Sequence, residues 1–482
     1  MRSAGSARFK KYAVQRPVKP PPTIATSTEQ SPSSAGPGVY GSSSQKLRLA
    51  KSLIPRPLAQ PLRPNHRPVG RAGIRLRHSG RYARACEERR IPCRARTEGP
   101  PMARLQVGVE TGCIAPLWVE RMSCRLAQLS GVDSLLLPDH YVGFVPRALW
   151  KPEYTPAAKM IPSTDAYFDP FVMMGAMAAR YRRVRIGTGV TEAFRRHPVT
   201  LAQAFVTVDH LTKGRAILGI GNGERENTDP YGMPFVRRVG RLEEALAIIR
   251  KLWESRGEPV TFEGPNYRLR DALFTTPMYK GEAPKIWLAA HAPRMLGLAG
   301  RFADGWYPTQ KMTPADYRQR LGMIRAAAAE AGRPVDRFEP AMQVQVAIGA
   351  SRDTVLEQLI RVKPVGAMAL LIPGAAWKQH GLRHPLGETF EGFADIIPNA
   401  IPPAAIEEAG RLVTKELLGS AIFAGSVDEI VAELKPLVDV GMRHVVMWNI
   451  GPLATGGGAG DLVRQTQLIR RLRKLQANGA AA

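Results

Sequence analysis

The stretch "GVDSLLLPDHY", residues 131–141, decides how this chain reads. Its apolar run, 131–138, is short and continuous, as in a strand buried on both faces of a parallel sheet. The run stops at a proline, and Asp139 and His140 follow at once. Titratable groups at the end of such a strand are what the working face of an α/β enzyme requires.

The same pattern repeats on both sides. Upstream lies "LQVGVE" (105–110), a first strand, with a helix around 116–130 between the two. Downstream come "RVRIGTGV" (183–190) after a helix around 169–181, and "RAILGIGNG" (215–223) after a helix from about 198 to 211. The amphipathic segment 237–255 precedes "PKIWLAA" (284–290), and "DGWYPT" (304–309), "MQVQVAIGA" (342–350) and "HVVMWNI" (444–450) complete the set. Strand and helix alternate throughout, which predicts a parallel sheet with crossover helices. Eight strands over about 370 residues predict a (β/α)8 TIM barrel with loop insertions. A doubly wound open sheet is the alternative, but it wants a glycine fingerprint after strand one, and "VGVETGCIAP" has none. The long connections are 139–168, 225–236 with 256–283, and 365–420, the last expected to hold small helices of its own.

Charge divides the chain differently. Of the formal +27, residues 1–100 carry +17, from 21 Lys and Arg against 4 Asp and Glu, which leaves +10 for the other 382 residues. "RPVKPPPT", "TEQSPSSAGPG" and "IPRPLAQPLRPNHRPVG" in that stretch lack any apolar period. Such composition predicts a disordered basic extension over 1–101. Met102 opens "MARLQVGVE", so the extension reads as dispensable or as the product of a mis-set translation start. The barrel is expected over 102–476 and a flexible tail over 477–482. No aromatic interleaving accompanies the basic charge, so no specific nucleic-acid partner is expected. No apolar core follows the first charges, as a secretory signal would need. No apolar run reaches the roughly 18 residues of a membrane span. The cysteines are Cys86, Cys93, Cys113 and Cys124, with no CxxC pair, so neither a metal nor a disulfide framework is expected. These features predict a cytoplasmic enzyme.

Strand ends supply the candidate chemistry. A histidine beside a carboxylate can exchange a proton near neutral pH, which singles out His140 with Asp139. Strand three ends in "GTGVTEAFRRHP", where glycine permits close backbone approach. Strand four ends in "GIGNGERENTDPYG": Gly221 and Gly223 admit a flat ligand, Glu224 is a second acid/base candidate, and Asn227 can bond a polar ring edge. Strand five ends in "AAHAPRMLGLAG", where a helix N-terminus with Arg294 can receive an anion. Tyr141, Phe144, Trp150, Tyr154, Tyr167 and Phe168 lie in the loop after strand two, as an apolar wall or a packed lid. Each feature alone also reads as a cap, a turn or a solvated loop. Together they fit a phosphate-bearing cofactor lying across a barrel mouth.

"PDH", "IGTGVTEAFRRHPVTLAQAFVTVDHLTKGRAILGIGNGERE", "RLEEALAIIRKLW" and "AAHAPRMLGLAGRFADGWYPT" resemble the bacterial luciferase-like superfamily, in its branch that uses coenzyme F420. The resemblance covers about residues 103–475. Within that branch "DHYVGFVPRALWKPEY", "ERENTDPYGMPF", "KIWLAAHAPRML" and "DIIPNAI" follow the pattern of the phthiodiolone and phenolphthiodiolone dimycocerosates ketoreductases. The resemblance implies hydride transfer between reduced F420 and a ketone or alcohol, including a lipid ketone. An FMN-dependent monooxygenase is the alternative. By the same resemblance His140 and Glu224 would be the proton-transfer residues, and Asp139, Thr191, Asn222, Gly223 and Asn227 would contact the cofactor. A non-proline cis peptide would fall near Thr188–Val190, placing Gly189 and Val190 beside the ring. His291, Ala292, Arg294 and Met295 would form the phosphate loop, although glycines stand there in the related sugar-phosphate dehydrogenase. Family members are often dimers, so a homodimer is expected.

Overall fold

The structure, a computed structural model, describes residues 104–476. The expectations on the 1–101 extension and the 477–482 tail therefore lie outside the described residues.

Eight parallel strands close into a barrel. They are β1 (Gln106–Glu110), β2 (Ser134–Leu137), β3 (Arg185–Thr188), β4 (Ala216–Gly221), β5 (Lys285–Leu288), β6 (Gly305–Trp306), β7 (Glu339–Ile348) and β8 (His444–Asn449). Neighbours pair in chain order, and β8 closes on β1 through Gln106↔His444 to Val109↔Met447. All eight predicted strands are present, because an all-buried strand such as Ser134–Leu137 leaves no other reading of its apolar run. Close packing of β3 on β4 depends on glycine. A Cβ on Gly219 would lie 1.9 Å from the Thr188 carbonyl oxygen, and one on Gly187 would lie 2.1 Å from that of Ile217.

Helices cover the outside, and their starts are written locally. Asp169 accepts from the Phe171 and Val172 amides, with Pro170 at the first helical position of Pro170–Arg180. Ser426 and Glu429 form a reciprocal capping box for Val427–Asp439. The main apolar core lies between barrel and helices, while Leu136, Ile217, Trp287, Tyr307, Ala341 and Val446 fill the barrel interior. The long segment after β7 holds its own helices, among them Lys363–Ala369, Gly374–Gln379, Pro403–Leu412 and Lys415–Ala421, round a second core centred on Trp377.

Sequence reading passed over an antiparallel hairpin, Val260–Glu263 with Arg268–Ala272. Its strands are short and half-exposed, so they carry little apolar signal.

The N-terminal end of the barrel is closed by a polar chain. Ser134 Oγ meets His444 Nε2 at 2.8 Å, His444 Nδ1 meets Glu339 at 2.9 Å, and Arg185 donates to both Glu339 oxygens at 2.7 Å. These partners hold the Glu339 carboxyl down at about 2 despite its burial.

Candidate active site

The opposite end carries the chemistry. β2 hands over to Asp139 and His140, β3 to Gly189–Thr191, β4 to Asn222–Asn227, and β5 to Ala289–His291. The Gly189–Val190 peptide is cis. Asp139, Val190, Thr191, Asn222, Gly223, Glu224, Asn227 and His291 line one cavity of about 110 Å³. His140, Gly189, Val190 and Glu224 line a second, of about 50 Å³, with Glu110. The two share Val190, Glu224, Thr309 and Phe393, so they form one mouth.

His140 is held on one edge. Its Nδ1 lies 2.7 Å from Glu226 Oε1 and 3.5 Å from Glu224 Oε2. Asn227 Nδ2 lies 3.0 Å from the same nitrogen. The Tyr141 amide donates to Asn227 Oδ1 at 2.9 Å, which turns the Asn227 amide nitrogen toward the ring. With that amide donating, Nδ1 accepts, and the neutral ring then carries its proton on Nε2. Glu226 is fully buried, and burial pushes its carboxyl well above the usual range. In the protonated form it too donates to Nδ1, while its Oε2 has no partner.

Two further carboxyls face the small cavity. Burial raises Glu224 to about 8, with Glu226 adding to the shift and His140 opposing it. Burial raises Glu110, at the end of β1, to about 7, against hydrogen bonds donated by Gln343 and by Tyr307 Oη at 3.1 Å. Three proton-carrying groups thus surround one small space. His140, Glu224 and Glu226 also have donor atoms within 4.8 Å of one another, a set that can hold a metal ion. Burial raises both carboxyls, which favours their proton-carrying forms and suits a proton relay.

Asp139 is committed to its neighbours. It accepts from Thr191 Oγ1 at 2.6 Å and pairs with Arg195 and Arg196 at 3.3 Å. It ties the end of β2 to the loop after β3. Arg195 also pairs with Glu192 and lies over the Tyr141 ring at 4.6 Å.

The loop after β5 divides. Burial holds the His291 imidazole down at about 4; its Nε2 meets Thr309 Oγ1 at 3.2 Å and its buried Nδ1 has no partner. Ala292 is exposed and precedes the helix Pro293–Phe302 with no side-chain cap. Arg294 pairs outward with Glu243 at 3.0 Å, and Met295 packs into the core. Neither of these two side chains lines the two cavities, so only main-chain amides at this helix start remain for an anion.

The aromatic loop after β2 also divides. Phe144 stands edge-on to His140 at 4.9 Å, and Tyr167 lies 5.6 Å from it. Phe393 and Trp448 complete this ring of aromatics around Phe144. Trp150 donates to the Ile161 carbonyl and lines an apolar cavity. Tyr154 lies under Lys363, Tyr141 packs on Tyr231, and Phe168 packs against the core.

Sequence reasoning missed Glu110, Glu226, Tyr307, Gln343, Phe393 and Trp448. The strand-end rule applied to "LQVGVE" points to Glu110, and a glutamine inside the buried run "MQVQV" points to Gln343. Glu226 sits between two residues that were singled out, and nothing local distinguishes it from a surface charge. Phe393 reaches the mouth only through the tertiary path of its insertion.

Residues 119–444 match the family described as luciferase-like monooxygenase. The chain belongs to this family. It is 41% identical over 365 residues to a phthiodiolone/phenolphthiodiolone dimycocerosates ketoreductase of Mycobacterium kansasii, covering 75% of this chain and 99% of that protein. It is 30% identical to an F420-dependent glucose-6-phosphate dehydrogenase of Nakamurella multipartita, over 66% of this chain and 83% of the relative. Among solved structures, an F420-dependent secondary alcohol dehydrogenase holding an F420-acetone adduct superposes with a TM-score of 0.59 at 20% identity, covering 77% of this chain and all of that one. That last likeness supports the luciferase-like barrel alone.

Proposed function

We propose that this luciferase-like chain is an F420-dependent oxidoreductase that reduces a ketone, a lipid ketone in particular, to a secondary alcohol. The observation that carries the reading is the arrangement at the mouth: His140 with its Nδ1 occupied, and Glu110 and Glu224 facing the same small cavity. The names of the two sequence relatives support the cofactor and the ketone.

The residues fit a flat polar ring. A Cβ on Gly189 would come within 3.3 Å of Glu110 Oε2 and the Tyr307 hydroxyl, and one on Gly221 within 3.1 Å of Val190, so glycine lets these site residues approach the backbone closely. The unpartnered His291 Nδ1 offers a hydrogen bond to a ligand at the cavity it lines. Gly189, Val190, Asn222, Gly223 and His291 would hold the ring, and the amides of Ala292, Arg294 and Met295 its phosphate, Pro293 having none. When bound, reduced F420 supplies hydride, chemistry that belongs to the cofactor.

The chain's own residues handle the proton. Asn227 and Glu226 keep Nδ1 occupied, so His140 can present Nε2–H to a developing alkoxide. Glu224, protonated up to pH about 8, is the neighbouring source. Phe144, Phe393 and Trp448 exclude water from the reacting carbon. Among the described residues no helix is long and apolar enough to cross a membrane, and we place the enzyme in the cytoplasm.

Titrating the full-length chain with F420 and with FMN, read by cofactor fluorescence, tests the reading. F420 is expected to bind the more tightly. Binding of FMN in preference to F420 would overturn it.

A further inference from the structure

A third cavity, of about 310 Å³, opens beside the reacting centre. It runs between the ends of β8 and β1, the helix Leu117–Leu129 and the loop after β2, and it shares Glu110, Phe144 and Trp448 with the small cavity that His140 lines. Its wall is mostly apolar, with Ile114, Val119, Leu126, Trp150, Ile161 and Leu453. The carboxyl of Glu120, in the same wall, is already used by the Cys113 amide at 2.9 Å and the Cys124 thiol at 3.3 Å. The outer rim carries Met122 and Leu462, both exposed at 37–40%. A path lined by hydrocarbon thus leads from the surface to the proton-carrying groups.

A cavity of similar volume, about 320 Å³, lies on the side of Lys311. Its wall includes Gln310, Lys311, Arg320 and Gln345, so a saturated chain there would desolvate amides and cations. The wall beside Leu126 holds no Lys or Arg, and more of it is apolar.

We infer that the cavity between the helix Leu117–Leu129 and the loop after β2 is the binding site for the alkyl chain of the ketone, which enters past Met122 and Leu462 and brings its carbonyl to His140. The inference rests on the ketoreductase reading and assigns the chain's position within it. Affinity should then grow with chain length, by about fourfold for each methylene that leaves water.

The test is a series of straight-chain 2-ketones, from 2-butanone to 2-decanone, on the full-length protein. Each is measured twice: as binding to the cofactor-free protein by calorimetry, and as kcat/KM with reduced F420. Two variants narrow the path, Leu126→Trp inside and Ser123→Trp at the solvent-facing rim, the second of which leaves the core intact. We expect both measures to improve along the series. We expect Leu126→Trp to abolish that gain, so that longer ketones lose their advantage over 2-butanone, and Ser123→Trp to weaken it. A flat binding series, or a length dependence that both variants leave untouched, overturns the assignment. Length-dependent binding that Leu126→Trp abolishes, without turnover of any ketone, keeps the chain site and rejects the ketoreductase reading.

Discussion

His140 Nδ1 lies 2.7 Å from Oε1 of Glu226, a carboxyl buried from solvent whose other oxygen has no partner. Glu226 and the Asn227 amide together occupy this nitrogen and leave Nε2 to carry the ring proton. Glu226→Leu removes that hydrogen bond, and kcat/KM for ketone reduction should fall about ten- to a hundredfold. Glu226→Gln keeps an N–H donor toward Nδ1 and should retain most activity. Equal losses in both variants would show that the carboxyl has another task.

The same burial has a cost in stability. Glu226 titrates far above its ordinary value of 4.5 in the folded protein. The folded state therefore holds a proton that the unfolded chain releases above pH about 4.5, and stability declines as pH rises from there. Glu226→Gln, uncharged throughout, should raise the melting temperature at pH 8 relative to the parent and change it little at pH 4. Calorimetry at the two pH values reads the difference.

Glu224 sets an upper pH limit. Its carboxyl, raised to about 8 by burial, is protonated below that pH and can donate. Reduction should slow above pH about 8, and Glu224→Gln should remove that limb from the profile. His140→Ala should lower kcat about a hundredfold or more at every pH. A limb that survives Glu224→Gln would leave His140 as the sole donor.

The closed end of the barrel titrates in the opposite sense. Glu339, between Arg185 and His444, is held at about 2 against an ordinary 4.5. Its contribution is whole above pH about 4.5 and is lost as pH falls toward 2. Glu339→Ala should cost about 3 kcal/mol at pH 7 by leaving Arg185 without its partner. Its urea midpoint should approach that of the parent at pH 2–3.

Asp139 is bound into the fold as firmly as into the site. Asp139→Ala leaves Arg195, 3% exposed, and Arg196 short of a counter-charge, and should cost about 3–5 kcal/mol. Denaturant unfolding of the cofactor-free protein measures that loss separately from any effect on binding.

The barrel was legible because its strands are buried on both faces. "SLLL" and "AILGIG" have no plausible solvent face, and glycines such as Gly187 and Gly219 mark where β3 and β4 nearly touch. Strand ends then located His140, Glu224 and Asn227 without knowledge of their contacts. Local sequence could not reveal that Arg294 turns outward to Glu243, or that Met295 packs inward, because both follow from how the helix Pro293–Phe302 seats on its neighbours. Nor could it separate Glu226 from the exposed Arg225 beside it. That distinction depends on His140, 86 residues away, lying over the same turn.

The central claim is tested most directly by one anaerobic reaction. The full-length chain is mixed with reduced F420 and a saturating 2-ketone, and the return of the oxidised deazaflavin's visible absorbance is followed. The account predicts ketone-dependent oxidation with stoichiometric formation of the secondary alcohol. An absence of ketone-dependent oxidation, together with oxygen uptake when reduced FMN replaces F420 in air, would contradict it.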